Sequence, residues 1–349
     1  MRKKHIHLLI GVVIIALSLF YAFRGVKFDE LLNAFTSVHY FYVLPAIFMV
    51  LVSFLLRAIR WRYLIRPVKE VKTTELLSPL MVGFMANMLP ARAGEFVRAY
   101  LLSKKVSISL SSSLATIFIE RLFDLFLVLF LLVWVLLFMP DAITSGNAGG
   151  AHELSDKIKI FGKFSFTLFL FIFLFSALLQ FKNNWAMTII RIFIKPFPPK
   201  WREKTITLVN SFAEGLNIIR DKRGFIATIF LSFIIWISFA LTYYLLYMGF
   251  GIETMLPVIS SLVILCLIIA VFITVAPTPG FLGSYHLACV ATLHGVFGIQ
   301  KAVALSYGIV AWLVAMGPTI IIGAIFAIKE NISFSEFSSN KEKTTKQPG

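Results

Sequence analysis

Charged side chains in this chain fall where they are most expensive. The segment Asn87-Met-Leu-Pro90-Ala-Arg92-Ala-Gly94-Glu95-Phe-Val-Arg98 sets Arg92, Glu95 and Arg98 at steps of three, so one side of a helix carries all three. A second group, Glu120-Arg121-Leu-Phe-Asp124, puts two carboxylates one turn apart, with Arg121 within i, i+3 reach of Asp124. Both lie in or beside long apolar runs. An ionisable group at membrane depth costs about 2.5–3.5 kcal/mol on insertion scales, so each needs a partner or a task. Two chemistries are open: internal ion pairs that lock helices together, or arginines left free to grip an anion in a bidentate fork.

A third segment, Pro277-Thr278-Pro279-Gly280-Phe281-Leu282-Gly283-Ser284-Tyr285-His286, has almost no formal charge but much broken backbone. Its prolines and glycines stop one helix, and a half-helix from Leu282 would offer unpaired N–H groups to an anion. Tyr285 and His286 would fall in its first turn. Arg57 and Arg60, with Trp61, close an apolar run and read as a positive stop with an aromatic anchor, in contact with surface lipid.

The elements that must position these groups follow from composition. Of 349 residues 59% are hydrophobic and 14% charged, with mean hydropathy +0.88; soluble domains carry about 25% charged residues. Full spans are expected at 8–23, 41–56, 110–139, 164–181, 225–250 and 302–328. Two further apolar runs, 76–89 and 256–275, break at Pro90 and at Pro277 to Pro279. The expected fold is all-α: a polytopic membrane protein with six transmembrane helices plus two oppositely oriented re-entrant helical hairpins, forming an inverted repeat.

Charge sets the orientation. Loops expected inside hold 26 Lys and Arg, the alternate loops 6, which predicts both termini in the cytoplasm. Residues 1–328 then form one integral membrane domain, with halves at 41–139 and 225–328. Between them, 182–223 carries Ile206, Val209, Phe212, Leu216 and Ile219 at helical spacing, an amphipathic helix for the cytoplasmic leaflet. Residues 329–349 read as a disordered cytoplasmic tail. The net charge of +16 sits between apolar spans and not along one polar face, so a membrane surface is expected as partner and nucleic acid is not. Cys266 and Cys289 lie in apolar segments and imply packing. No phosphate loop, metal-ligand spacing or nucleophile elbow is present, so no catalytic residue, metal or cofactor is expected.

Taken in order, Arg57 to Trp61, Asn87 to Arg98 (Asn-x-x-Pro-x-Arg-x-Gly-Glu-x-x-Arg), Glu120-Arg-x-x-Asp124 and Pro277-x-Pro-Gly-x-x-Gly283 resemble the flippase-like family that includes the transmembrane region of lysylphosphatidylglycerol synthase. The resemblance runs from about residue 41 to 328. It implies a lipid translocase in a bacterial or archaeal cytoplasmic membrane, acting on a phospholipid or a polyprenyl-phosphate lipid. The residue reading and the resemblance together gather Asn87, Pro90, Arg92, Glu95, Arg98, Glu120, Arg121, Asp124, Pro279, Gly280, Gly283, Tyr285 and His286 as the expected site. The chain departs at His286 from the many members of that family that carry an acidic residue there. The soluble aminoacyl-transfer domain of the full-length synthases is expected to be absent. A membrane-embedded lipid transferase and an accessory subunit of a cell-envelope enzyme are the alternatives.

Overall fold

The computed structural model describes residues 2–88, 93–138, 183–196, 221–275 and 278–332, with scattered positions between 167 and 206. Pro90, Arg92, Pro277, the expected span at 164–181 (apart from scattered positions), most of the helix expected at 206–219 and the tail beyond 332 lie outside those residues. Among the described residues all regular structure is helical. The helices are α1 (Arg2–Phe23), α2 (Phe28–Thr36), α3 (Val43–Ile65), α4 (Thr73–Ala86), α5 (Gly94–Val106), α6 (Leu110–Phe138), α7 (Asn183–Ile194), α8 (Lys222–Phe250), α9 (Val258–Val275), α10 (Ser284–Val290) and α11 (Lys301–Lys329).

Among the described residues three segments are long and apolar enough to cross a bilayer: Tyr40–Ile65, Lys222–Phe250 and Lys301–Lys329. Their side chains are sorted inside out. Phe41, Leu44, Phe48 and Leu55 recur at helical spacing on the exposed side of the first, as do Ile226, Phe230 and Ile237 on the second. Ser53, Arg57 and Arg60 on the first, and Thr228, Ser232 and Thr242 on the second, point inward and are buried. Water would reverse that sorting; hydrocarbon favours it, because lipid solvates the outer apolar face and the polar groups find partners within.

Small residues let the helices close on one another. On α4, a Cβ added at Gly83 would lie 2.6 Å from Arg98 Cβ and 2.9 Å from the Gly94 carbonyl, so α4 and α5 touch backbone to backbone. The pair is antiparallel: Lys69, ahead of α4, donates to the Val106 carbonyl at the far end of α5 (2.6 Å). On α11, Gly323 does the same against Met85 and the Met81 carbonyl of α4. The α8 hydroxyls of Thr228, Ser232, Ser238 and Thr242 each bond the carbonyl four residues back, at 2.8–2.9 Å, which keeps them satisfied while α8 packs along α3.

The second broken segment begins its half-helix two residues later than expected. Pro279–Phe281 forms a single 3₁₀ turn, Gly280 and Gly283 adopt φ of +58° and +80°, and α10 starts at Ser284. Positive φ at those two points is what glycine permits at least cost. A π-helical stretch, Ala291–Val296, continues α10.

In the cytoplasmic segment expected at 182–223, α7 is not a purely surface element. Ile190 is buried, and Met187 and Ile194 pack with it against Trp61, Leu76, Leu102 and their neighbours.

Candidate functional site

Helix α6 sets the frame of the charged site. Its register on α3 is fixed by the Trp61 indole N–H, which donates to Thr116 Oγ1 at 3.0 Å. One turn beyond Thr116 comes Glu120, fully buried, and one turn further Asp124. Glu120 accepts from Arg98 Nη2 of α5 at 2.7 Å and from Arg121 Nη2 at 2.6 Å, and its Oε1 lies 3.1 Å from Arg60 Nη2 of α3. Asp124 takes a two-pronged contact from Arg60, at 2.6 and 3.3 Å, and an ion pair from Arg121 at 3.4 Å. The remaining corner of Arg60 Nη1 is met by Ser232 Oγ of α8 at 2.8 Å.

Rings complete the enclosure. The Arg98 guanidinium lies 3.6 Å from the centre of the Trp61 ring, and that of Arg57 lies 5.4 Å from Phe84 of α4 and 5.0 Å from Phe239 of α8. Five helices therefore converge on one polar core. Four arginines (57, 60, 98 and 121) meet two carboxylates, Glu120 fully buried and Asp124 13% exposed, and the third acid, Glu95, is 55% exposed and, among the described residues, pairs with Arg121 at 3.6 Å. Positive charge is in surplus whether or not Glu95 is counted.

The expected surface role of Arg57 and Arg60 does not match their position. Arg60 is 0% exposed and Arg57 7%, and both belong to the interior network. They end the apolar run of α3 on the side that faces α6 and α8, and hydropathy does not reveal that side. Arg98 and Arg121, both expected to grip an anion, are instead engaged by Glu120. Arg57 is the least satisfied: its nearest carboxylate oxygens are 3.8 and 3.9 Å away, and its Nε and Nη1 have no hydrogen-bond partner.

The two broken segments meet. The Gly280 N–H donates to the Asn87 carbonyl at 3.0 Å, just beyond α4, and the Trp312 indole N–H of α11 donates to the Gly280 carbonyl at 2.8 Å. Met88 Sδ occupies the space a Cβ at Gly280 would need. Two more donors of this turn are used locally, Phe281 N–H by Thr278 O (2.9 Å) and Leu282 N–H by Pro279 O (3.2 Å), and the half-helix itself starts beyond them, at Ser284. Thr278 and Ser284 pair their hydroxyls at 2.9 Å. Tyr285 donates to the Tyr243 hydroxyl at 3.2 Å, and His286 is buried with its ring 5.9 Å from Trp312 and Nδ1 without a partner. The end of α4 serves both places: Phe84 borders Arg57 and Asn87, three residues on, holds Gly280.

Thr116, Ser232, Phe84 and Phe239 enter the site without having been expected there. The buried Ser/Thr series on α8 is the signal that could have found Ser232, since small polar residues at helical spacing in an apolar span mark a helix interface.

Comparison with known proteins adds kinship to this geometry. The profile of the family described as "Lysylphosphatidylglycerol synthase TM region" matches residues 8–323. A UPF0104 membrane protein of Pyrococcus horikoshii is 26% identical over 344 residues, covering 94% of this chain and 97% of its own. A UPF0104 membrane protein of Methanothermobacter thermautotrophicus is 24% identical, covering 90% and 91%. The glycosyltransferase AglD of Haloferax volcanii is 22% identical over 84% of this chain but only 49% of its own length.

Proposed function

The chain belongs to the lysylphosphatidylglycerol synthase transmembrane-region family, and from that premise we propose that it is a flippase, carrying the anionic, phosphate-bearing headgroup of a membrane lipid between leaflets. The observation that carries this reading is the surplus of buried arginine over carboxylate at the meeting point of α3, α5, α6 and α8. A purely structural network needs equal and opposite charges. A surplus of guanidinium in a membrane interior is stabilised by an incoming oxyanion.

In this reading α3, α8 and α11 span the bilayer together with α1, α6 and the 164–181 segment, giving six spans. The pairs α4/α5 and α9/α10 are re-entrant hairpins entering from opposite faces, and the halves 41–139 and 225–328 are inverted copies within one domain, 1–328. Both termini lie in the cytoplasm of a bacterial or archaeal cell; setting aside the buried Arg57, Arg60 and Arg98 leaves 23 basic residues inside against 6 outside. Residues 182–223 lie at the cytoplasmic leaflet, and 329–349 form a cytoplasmic tail. The contact of Gly280 with Asn87 supports tip-to-tip hairpins.

The mechanism is charge exchange. The headgroup phosphate enters the arginine cluster and competes with Asp124 and Glu120 for guanidinium edges, with Arg92, Arg98 and Arg121 available as the carboxylates shift. Pro90, Pro279, Gly280 and Gly283 let the hairpin tips move, while Tyr285 and His286 line the exit and the acyl chains stay in lipid. Rocking of one half against the other alternates access. No nucleotide, metal or other cofactor takes part.

Purified protein in vesicles tests this: a trace lipid in the inner leaflet becomes accessible to a membrane-impermeant reagent if the protein flips it, and stays protected if it does not. A second reading, a membrane-embedded lipid transferase, is favoured by the relative named a glycosyltransferase. A covalently altered lipid after incubation would support it.

A further inference from the structure

Arg60, Arg98 and Arg121 each leave a buried Nε without an acceptor but bond carboxylates through their Nη groups; Arg57 Nε, Arg57 Nη1 and Trp236 Nε1 are three buried donors that lack an acceptor on side chains with no such bond. They belong to one seam. On α3, Arg57 and Arg60 are one turn apart; on α8, Ser232, Trp236 and Phe239 follow at i, i+4 and i+7 and so share a face. Ser232 bonds Arg60 at 2.8 Å and Phe239 lies 5.0 Å from the Arg57 guanidinium, so that face of α8 is turned toward those arginines. Trp236 sits beside Phe239, ring centres 6.4 Å apart.

The chemistry of the three atoms is uniform. Guanidinium and indole donate and never accept, so the seam is complementary to a group that only accepts. Phe84 and Phe239 lie over the Arg57 guanidinium, which leaves its edge as the place where a ligand binds. Around it the arginine surplus repels any group that carries its own cation.

We infer that α3 and α8 form a subsite for a lipid oxyanion, a phosphate ester held between the guanidinium edge of Arg57 and the indole N–H of Trp236, which selects an anionic headgroup against one bearing an amine. This deepens the flippase reading and rests on it for the claim that the ligand is a lipid. It also separates the chain from the aminoacylated lipid in its family's description: a lysyl ester adds positive charge where the seam already has an excess.

Binding and transport are measured separately. Native mass spectrometry of the full chain in lipid nanodiscs compares phosphatidylglycerol, its lysyl ester and inorganic phosphate. The wild type is expected to bind phosphatidylglycerol at least about tenfold more tightly than the lysyl ester. Trp236→Phe and Arg57→Met are each expected to weaken phosphatidylglycerol about tenfold, the loss of one charge-assisted hydrogen bond. Trp236→Phe keeps a ring in place, so a fault in folding would show as a lower melting temperature and not as a selective loss of the anionic lipid. Equal affinity of both variants for phosphatidylglycerol, or preference of the wild type for the lysyl ester, overturns the subsite, and does so even if the wild type flips lipid. Inorganic phosphate binding as tightly as the lipid overturns the lipid as its source. Selective binding that is lost in the variants keeps the subsite even if wild-type protein fails to flip lipid, which sinks only the flippase reading.

Discussion

Replacing Glu120 by glutamine preserves the shape of the side chain and removes the charge on which four arginines converge, three of them within 3.1 Å. Its two oxygens accept from Arg98 at 2.7 Å and Arg121 at 2.6 Å and face Arg60 at 3.1 Å. The amide can still accept through one oxygen, but its NH₂ group points a donor at guanidinium donors. Removing one partner of a buried ion pair costs about 3–5 kcal/mol, and with three arginines affected the upper end applies, about 4–5 kcal/mol. At roughly 2–4 °C per kcal/mol that lowers the melting temperature by roughly 8–20 °C. Glu95→Gln is the matched control: its carboxylate is more than half exposed, pairs with Arg121 among the described residues and contributes less than about 1 kcal/mol. Thermal unfolding of both variants in one detergent, followed by circular dichroism, makes the comparison. If Glu120→Gln melts together with Glu95→Gln, the buried network does not hold these helices and the reasoning from it fails.

Other expectations follow from close approaches. Gly83→Ala should destabilise by about 1–3 kcal/mol, because the new methyl meets Arg98 and the Gly94 carbonyl, whereas Gly249→Ala, with its nearest atom at 3.4 Å, should be neutral or slightly stabilising in the same melt. Gly280→Ala combines a φ of +58° with collision against Met88, so it should unfold earlier and be partly rescued by Met88→Ala, unless strain alone sets the cost. Trp312→Phe removes the bond to the Gly280 carbonyl, and hydrogen exchange at residues 280–283 should speed up severalfold while α8 is unchanged. With Cys266 and Cys289 replaced, single cysteines at positions 91 and 279 should react with impermeant reagents from opposite faces; labelling of both from one face would end the inverted-hairpin topology.

Much of this was legible in the sequence because its signals are local. Apolar runs announce helices, Pro90 and Pro277 to Gly283 announce breaks, and Glu120 to Asp124 announces a charge cluster one turn long. The facing of side chains is not local. Arg57 and Arg60 follow an apolar run just as a cytoplasmic stop would, and only the packing of α3 against α6 and α8 turns them inward. Arg98 and Arg121 looked available until Glu120 claimed both. The broken turn looked rich in bare N–H groups, yet its donors at 280, 281 and 282 bond carbonyls of Asn87, Thr278 and Pro279. The proposed anion-binding role therefore centres on Arg57, whose carboxylate neighbours lie 3.8 and 3.9 Å away.

That role can be measured in the transport assay itself. Wild-type protein and Arg57→Met, matched for folding by their melting curves, are reconstituted into vesicles with a trace of acyl-chain-labelled phosphatidylglycerol or of an equally labelled zwitterionic lipid. Dithionite then bleaches whatever label reaches the outer leaflet. Loss of inner-leaflet protection for the anionic lipid with wild-type protein, its retention with Arg57→Met, and a smaller effect on the zwitterionic lipid are the predicted result. Protection that survives the wild type, or is lost equally with Arg57→Met, would contradict lipid translocation through the arginine core.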